Sequence, residues 1–268
     1  MATPKEILWD PAPHTRAKLQ VLGGYLDAWF PILSSRFGSI TYVDGFAGPG
    51  EYIDRTAGSP LIALRAAMRA AESQRGTAIH LVLVERNPER FRYLSALVKR
   101  NQTGLANLAV ELINGSCETS VLPALNRLGA WDGPIFANLD GWGVDSPFSI
   151  IERLGRSRST EVLVTLEAQW FTRFAGSKDP VAGDRVFGNP EWREVASKPS
   201  RGKETFLVDL YLERLGHAGF SYNHAFKLAG PRERPVSGLR YCGETRGGTH
   251  EGGDVARRSR FGSAVRRP

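Results

Sequence analysis

Cysteine is scarce in this chain: Cys117 and Cys242 are the only two among 268 residues, and neither has the companion spacing of a metal site. A disulfide-built scaffold is therefore excluded, no metal site is expected, and a reducing, cytoplasmic setting is the simplest expectation. Long apolar runs are missing as well. Nothing approaches the roughly 18 consecutive apolar residues of a membrane-spanning helix. The first residues, Met1-Ala2-Thr3-Pro4-Lys5-Glu6, lack the basic-then-apolar order of a secretory leader. No internal repeat is visible.

What is present is enough apolar sequence, 41% of the chain, for one large core or one core with a small appendage. The formal net charge of +7 invites a nucleic-acid partner, but its distribution weakens that reading. Between Arg240 and Pro268 seven arginines face three acids, so more than half of the excess sits in the last 29 residues. A basic tail of this kind is ordinarily a solvated extension. Nucleic-acid binding through it would show as a steep salt dependence.

Apolar residues recur at three- and four-residue intervals through Leu19, Leu22, Tyr25, Leu26, Trp29 and Phe30, which predicts an early helix that Pro31 kinks or restarts. A short β-rich run, Ile40 to Asp44, then enters a glycine-rich turn. Ser59-Pro60 opens a helix over 61–71. Strands follow at 79–84, 108–113, 135–139 and 162–166, separated by helices at 88–100, 121–128 and 147–154. This alternation of uninterrupted apolar runs with helices predicts an α/β fold: a mostly parallel central sheet with helices on both faces. Residues 168–202 break the pattern and read as an inserted polar cap or loop. A helix over 203–215 and a late strand over 220–228 complete a domain spanning 1–230. Residues 231–268 are rich in Gly and Arg and lack periodicity, so no strand or helix is predicted there.

The most informative stretch is Asp44-Gly45-Phe46-Ala47-Gly48-Pro49-Gly50. A carboxylate ends the first strand, and glycines let the backbone pass close to a ligand. The order G-x-x-G-x-G differs from the G-x-G-x-x-G of dinucleotide enzymes, which brings a pyrophosphate onto a helix end. It resembles motif I of class I methyltransferases. Their cofactor, S-adenosylmethionine, presents an ammonium and a carboxylate, for which Asp44 and the turn amides of Gly45, Phe46, Gly48 and Gly50 are the candidates. A tight connection without a ligand is the other reading. The second strand ends in Glu85, placed to accept hydrogen bonds from both ribose hydroxyls, or simply to cap the helix opening at Asn87-Pro88. The third ends Asn114-Gly115-Ser116-Cys117, where many methyltransferases carry an acid for the adenine; Ser116 is the candidate here. Cys117 has no nearby partner and reads as a small buried residue.

The fourth strand closes the predicted site with Asn138, Asp140 and Trp142. Methyl transfer is an in-line displacement, so an enzyme chiefly positions the nucleophile and excludes water. Asp140 would orient an amine or hydroxyl, with Asn138 and Trp142 in support. The element resembles the Asn/Asp-Pro-Pro-aromatic motif of amino-methyltransferases, with Gly141 where that motif has proline. A strand-end Asp capping the next helix is the alternative. Glu167 is a second, weaker carboxylate near the same edge.

Taken together, three stretches resemble the three-Cys-motif partner protein family, TcmP. They are the early helix with Lys18-Leu19, Leu22 and 25–29; the segment from Tyr42 to Gly50 followed by Gly58-Ser59-Pro60-Leu61; and a block with Arg173-Phe174 and 187–192. The resemblance covers about residues 12–228. It implies a Rossmann-like class I methyltransferase fold, S-adenosylmethionine as cofactor, and a partner protein bearing three cysteines; it implies no known methyl acceptor. A non-catalytic member keeping the fold as a docking surface is the competing expectation. The family usually carries Asp-Pro-aromatic-Gly after the fourth strand, and Asp140-Gly141-Trp142-Gly143 departs at the proline. Members also continue past this region with a strand and a helix. Because the codons of 253–259, read one nucleotide later, permit Ala-Met-Trp-Arg-Val-Asp-Pro, a reading frame shifted after about Gly230 is a further expectation, which sequencing the gene would test.

Overall fold

The computed structural model describes residues 6–141, 144–176, 181–227 and 238–245, the last of these by their backbone. Five strands, β1 (Ser39–Asp44), β2 (Ala78–Glu85), β3 (Leu108–Asn114), β4 (Ile135–Leu139) and β5 (Thr160–Glu167), pair in parallel in the order β3-β2-β1-β4-β5. The reason lies in their composition. Every residue of β4 is buried, as are all but the first of β1, so both faces of these strands must be covered. Successive side chains alternate between two cores. Ile40, Tyr42, Leu81 and Leu83 face α1 (Pro13–Ser34), α2 (Ser59–Ser73) and α3 (Pro88–Asn101). Val43, Val82 and Val84 face α4 (Cys117–Leu128), α5 (Phe148–Gly155) and α8 (Lys203–Ala218). The result is the expected Rossmann-like layering of helix, sheet and helix.

Several expectations need correction. The early helix α1 runs through Pro31 to Ser34, since that proline lies in the last turn and costs the helix little. The late strand is divided into β6 (Phe220–Tyr222) and β7 (Ala225–Lys227). A further strand, β8 (Gly238–Thr245), lies where no element was expected. It runs antiparallel to β5, from Glu161 opposite Glu244 to Glu167 opposite Gly238, and its other side pairs with β6 and β7. The remainder of the Gly/Arg-rich tail, with the expected frame shift, falls outside the described residues. Among the described residues no helix is long and apolar enough to cross a membrane, and no cluster of His, Cys, Asp and Glu could hold a metal ion.

The inserted segment between β5 and α8 is helical rather than looped: α6 (Ala168–Phe174), α7 (Val181–Phe187) and two 3-10 turns, Glu191–Ser197 and Ser200–Gly202. Its polar sequence conceals large anchors. Phe171, Phe187 and Trp192 are fully buried and join Phe148 and Tyr211 in an aromatic cluster. Trp192 Nε1 donates to Asp184 Oδ1 at 2.8 Å, which satisfies its polar edge.

Candidate functional site

Strand order reverses between β1 and β4, and the loops leaving their carboxyl ends part there. A cavity of about 210 Å³ opens at this point. Its lining draws on the loops after β1, β2, β3, β4 and β5 and on the first turns of α1. Of the residues singled out by sequence, Gly45, Phe46, Gly48, Gly50, Glu85, Ser116, Asn138, Asp140 and Glu167 all line it. Trp142 lies outside the described residues.

The glycine turn is shaped by contact on its far side. A Cβ at Gly45 would sit 2.8 Å from Cys117 Sγ and 2.9 Å from Leu139 Cδ2. Gly50 has φ +89° and would bring a Cβ within 2.8 Å of Leu97 Cδ2. The turn is thereby packed against α4 and the end of β4 at Gly45 and against α3 at Gly50, while its residues also line the cavity. Gly50→Ala is expected to destabilise the fold by about 1–3 kcal/mol through strain and overpacking. Gly76, with open space around its Cβ position, is the control: Gly76→Ala should leave the urea midpoint nearly unmoved.

Asp44 departs from expectation. It is fully buried and is not among the residues that line the cavity. Tyr42 Oη donates to Oδ2 at 3.2 Å and the Phe46 amide to Oδ1 at 3.3 Å, with further hydrogen bonds from Ser59 and Asn138. Burial nevertheless dominates and lifts the carboxyl from 3.8 to about 6. Asp44 therefore acts on the cavity through the groups it holds, the Phe46 amide and the Asn138 side chain.

Glu85 is nearly buried at the end of β2 and reaches the cavity. Its Oε1 accepts the Asn87 amide at 2.6 Å; Oε2 has no partner among the described residues. The role of helix cap belongs to Asn87, whose side chain accepts the Glu89 and Arg90 amides. Ser116 has a comparable structural duty, capping α4 by accepting the Thr119 amide at 3.2 Å. Cys117 is buried, and desolvation pushes its thiol up to about 12, so it is no nucleophile.

At the other end of the cavity Asn138 is only 2% exposed, and its Oδ1 has no hydrogen-bond partner among the described residues. Asp140 Oδ2 pairs with Lys18 Nζ, which α1 brings across the mouth of the site. Sequence reasoning missed Lys18 as a site residue. Its signal was helical spacing: Lys18, Leu22, Tyr25 and Trp29 fall on one face of α1, and Tyr25 and Trp29 both bond Glu161 of β5. Gly141 also has a structural reason. A Cβ there would lie 2.6 Å from the distal edge of the Phe46 ring, so a larger residue at 141 requires that ring to move.

Two loops roof the cavity. Residues 51–57 form a small hairpin whose Glu51 accepts from Tyr93 Oη and from Arg55 Nη1, and Arg16 ties it to α1 through Asp54 at 2.6 Å. Trp9 packs edge-on against Tyr52 at 5.7 Å and lies under the Arg90 guanidinium at 4.8 Å. On the side of the insertion, α7 contributes Arg185, which bonds Asp145 and Glu118 at the rim.

No family model matches the chain, and no curated protein sequence does. Several solved structures are similar in arrangement. The DszA carbon methyltransferase shares 10% identity over 90% of this chain and 57% of its own, with a TM-score of 0.48; the present chain thus spans little more than half its length. The O-methyltransferase TomG from Streptomyces achromogenes, solved with SAM, shares 16% identity over 91% and 92% of the two chains, with a TM-score of 0.47. An O-methyltransferase from Bacillus cereus, solved with SAH, shares 15% identity over 87% of each, with a TM-score of 0.46. Scores of this size establish no kinship, and what the chain shows by itself is a Rossmann-like α/β domain with a cavity of mixed polar and apolar lining at its strand-order reversal.

Proposed function

We propose that this cavity binds S-adenosylmethionine and that the chain is a methyltransferase of the class I type. The observation that carries the reading is convergence. A glycine-rich turn (Gly45 to Gly50), an acid whose Oε2 has no partner among the described residues (Glu85) and an amide oxygen likewise unpartnered among them (Asn138) belong to three different strand ends, yet share one cavity. Glu85 Oε2 suits the ribose hydroxyls, while Oε1 keeps the carboxylate in place by accepting Asn87 N. The turn amides from Gly45 to Gly50 suit the carboxylate of the methionyl group. Asn138 and Asp140 lie toward the acceptor. The bound group supplies an electrophilic methyl carbon on a sulfonium; the chain's own work is to orient the nucleophile, exclude water and take up a proton.

Calorimetry with S-adenosylhomocysteine tests this. The full chain is expected to bind it, and Glu85→Ala to weaken binding about 10- to 100-fold, the effect of losing charge-assisted hydrogen bonds. No binding by the unaltered chain, or equal binding by the variant, rejects the reading. The resemblance to the TcmP family supports a three-Cys-motif protein as partner in the cytoplasm, testable by co-purification. If that partner binds while the nucleoside does not, the fold serves as a docking protein instead.

A further inference from the structure

We propose that the methyl acceptor is a nitrogen carrying two N–H groups, such as a neutral primary amine, received between Asn138 Oδ1 and the carboxylates of Asp140 and Glu167. The inference rests on the cofactor reading above and names the substrate class of that site.

The argument begins with alternation. Residues 138 and 140 of one strand end share a face, and the register of Asn138 opposite Leu163 puts 165 and 167 of the neighbouring strand on that same face. Asn138, Asp140, Thr165 and Glu167 all line the cavity. Their end of the site is rich in hydrogen-bond acceptors. Asn138 cannot turn its amide round freely, because its N–H side is engaged by the Asp44 carboxylate. Its Oδ1 is thereby fixed as an acceptor without a donor among the described residues. A buried oxygen in that state is unfavourable by itself and is satisfied by a donor from a ligand.

The chemistry of possible acceptors then divides. A carboxylate brings no donor and meets Asp140 and Glu167 as like charges. A thiol donates weakly, and an alcohol brings a single O–H and needs a strong base to become nucleophilic. A nitrogen with two N–H groups satisfies two acceptors at once and keeps its lone pair for the methyl carbon. The Lys18 ammonium already offsets the charge on Asp140, so the site does not depend on a cationic ligand. Glu167 is half-buried, and desolvation raises its affinity for a proton above the ordinary carboxyl range. In the transfer, the nitrogen lone pair forms the new N–C bond while the C–S bond breaks and its electron pair stays on sulfur. The proton then in excess on nitrogen passes to Glu167 and on to water.

Sinefungin is the probe, an analogue in which an amine-bearing carbon replaces the methylsulfonium, so its N–H groups occupy the transfer position. Titrations of the full chain compare it with S-adenosylhomocysteine. Sinefungin is expected to bind about tenfold tighter. That preference should be lost in Asn138→Ala and reduced in Glu167→Gln, a half-buried site whose substitution spares the core. Binding of S-adenosylhomocysteine without any preference for sinefungin overturns this inference and leaves the cofactor reading intact. A preference that survives in both variants also overturns it. Failure of the unaltered chain to bind either nucleoside removes both.

Discussion

Asp44→Asn is expected to yield a protein more stable than the parent at pH 8, by about 1–3 kcal/mol, and poorer at its site. The carboxyl titrates near 6 in the folded chain against an ordinary value of 3.8, because burial outweighs its four hydrogen bonds. Between those values the folded chain holds the proton more tightly than the unfolded one, so parent stability falls as pH rises from 3.8 to about 6. Above that window the penalty is complete, about 3 kcal/mol at its largest. An asparagine carries no charge to bury and gives some of that gain back through altered hydrogen bonds. Its advantage should be widest at pH 8, narrow below about 6, and vanish below 3.8. Urea midpoints at pH 8 and pH 5 measure it. A variant no more stable at pH 8 would show that the hydrogen bonds, not desolvation, set the balance.

The cost to the site follows from the same contacts. An amide at position 44 keeps one acceptor oxygen for the donors from Tyr42, Phe46, Ser59 and Asn138, and we expect its N–H side to meet Asn138, which relieves the conflict by turning over. Its Oδ1 then faces the introduced amide instead of the cavity. The sinefungin preference should disappear in Asp44→Asn while the urea midpoint rises. Stability given up for a poised site is a common trade in enzymes.

The second large effect is expected at a residue outside the cavity. Trp192→Ala removes a fully buried indole and should cost about 3–5 kcal/mol, a large part of the 5–15 kcal/mol that holds an ordinary domain together. Little can collapse into the gap. Trp192 stacks on Phe187 at 6.1 Å and meets Phe171 edge-on at 5.7 Å, and a Cβ at Gly183 would lie 2.1 Å from its ring. The loss also leaves Asp184 without the indole donor. Because α7 carries Arg185 to the rim, loosening it should free that guanidinium from Asp145 and Glu118. Thermal unfolding reads the first effect, and Trp192→Phe should recover much of it. An unchanged midpoint in Trp192→Ala would mean that the insertion is not anchored through this ring.

The parallel half of the sheet was legible because its strands are apolar runs: Leu81 to Val84 and Ile135 to Leu139 have no other reasonable home than a sheet covered on both sides. The strand-end acids and the glycine turn were legible for the same reason, since the ends of such runs mark the ligand edge. Depth was not. Whether Asp44 faces the cavity or lies behind it depends on Tyr42, Ser59 and Asn138 closing round it, and no local pattern carries that. Lys18 was hidden because a helix stripe gives a face but not the strand end it reaches. Strand β8 escaped notice because Gly238, Arg240 and Gly243 interrupt any apolar alternation. Its place is fixed by pairing on both sides rather than by propensity.

That last strand has a consequence for how the chain is made. Gly238–Thr245 slots between β5 and the β6–β7 pair, all of which leave the ribosome earlier. Until it emerges, the open ladder of Thr160–Glu167 is available to any extended segment nearby, including the same stretch of a sister nascent chain. Synthesis that stalls before position 238 should therefore give aggregates rather than a smaller soluble domain.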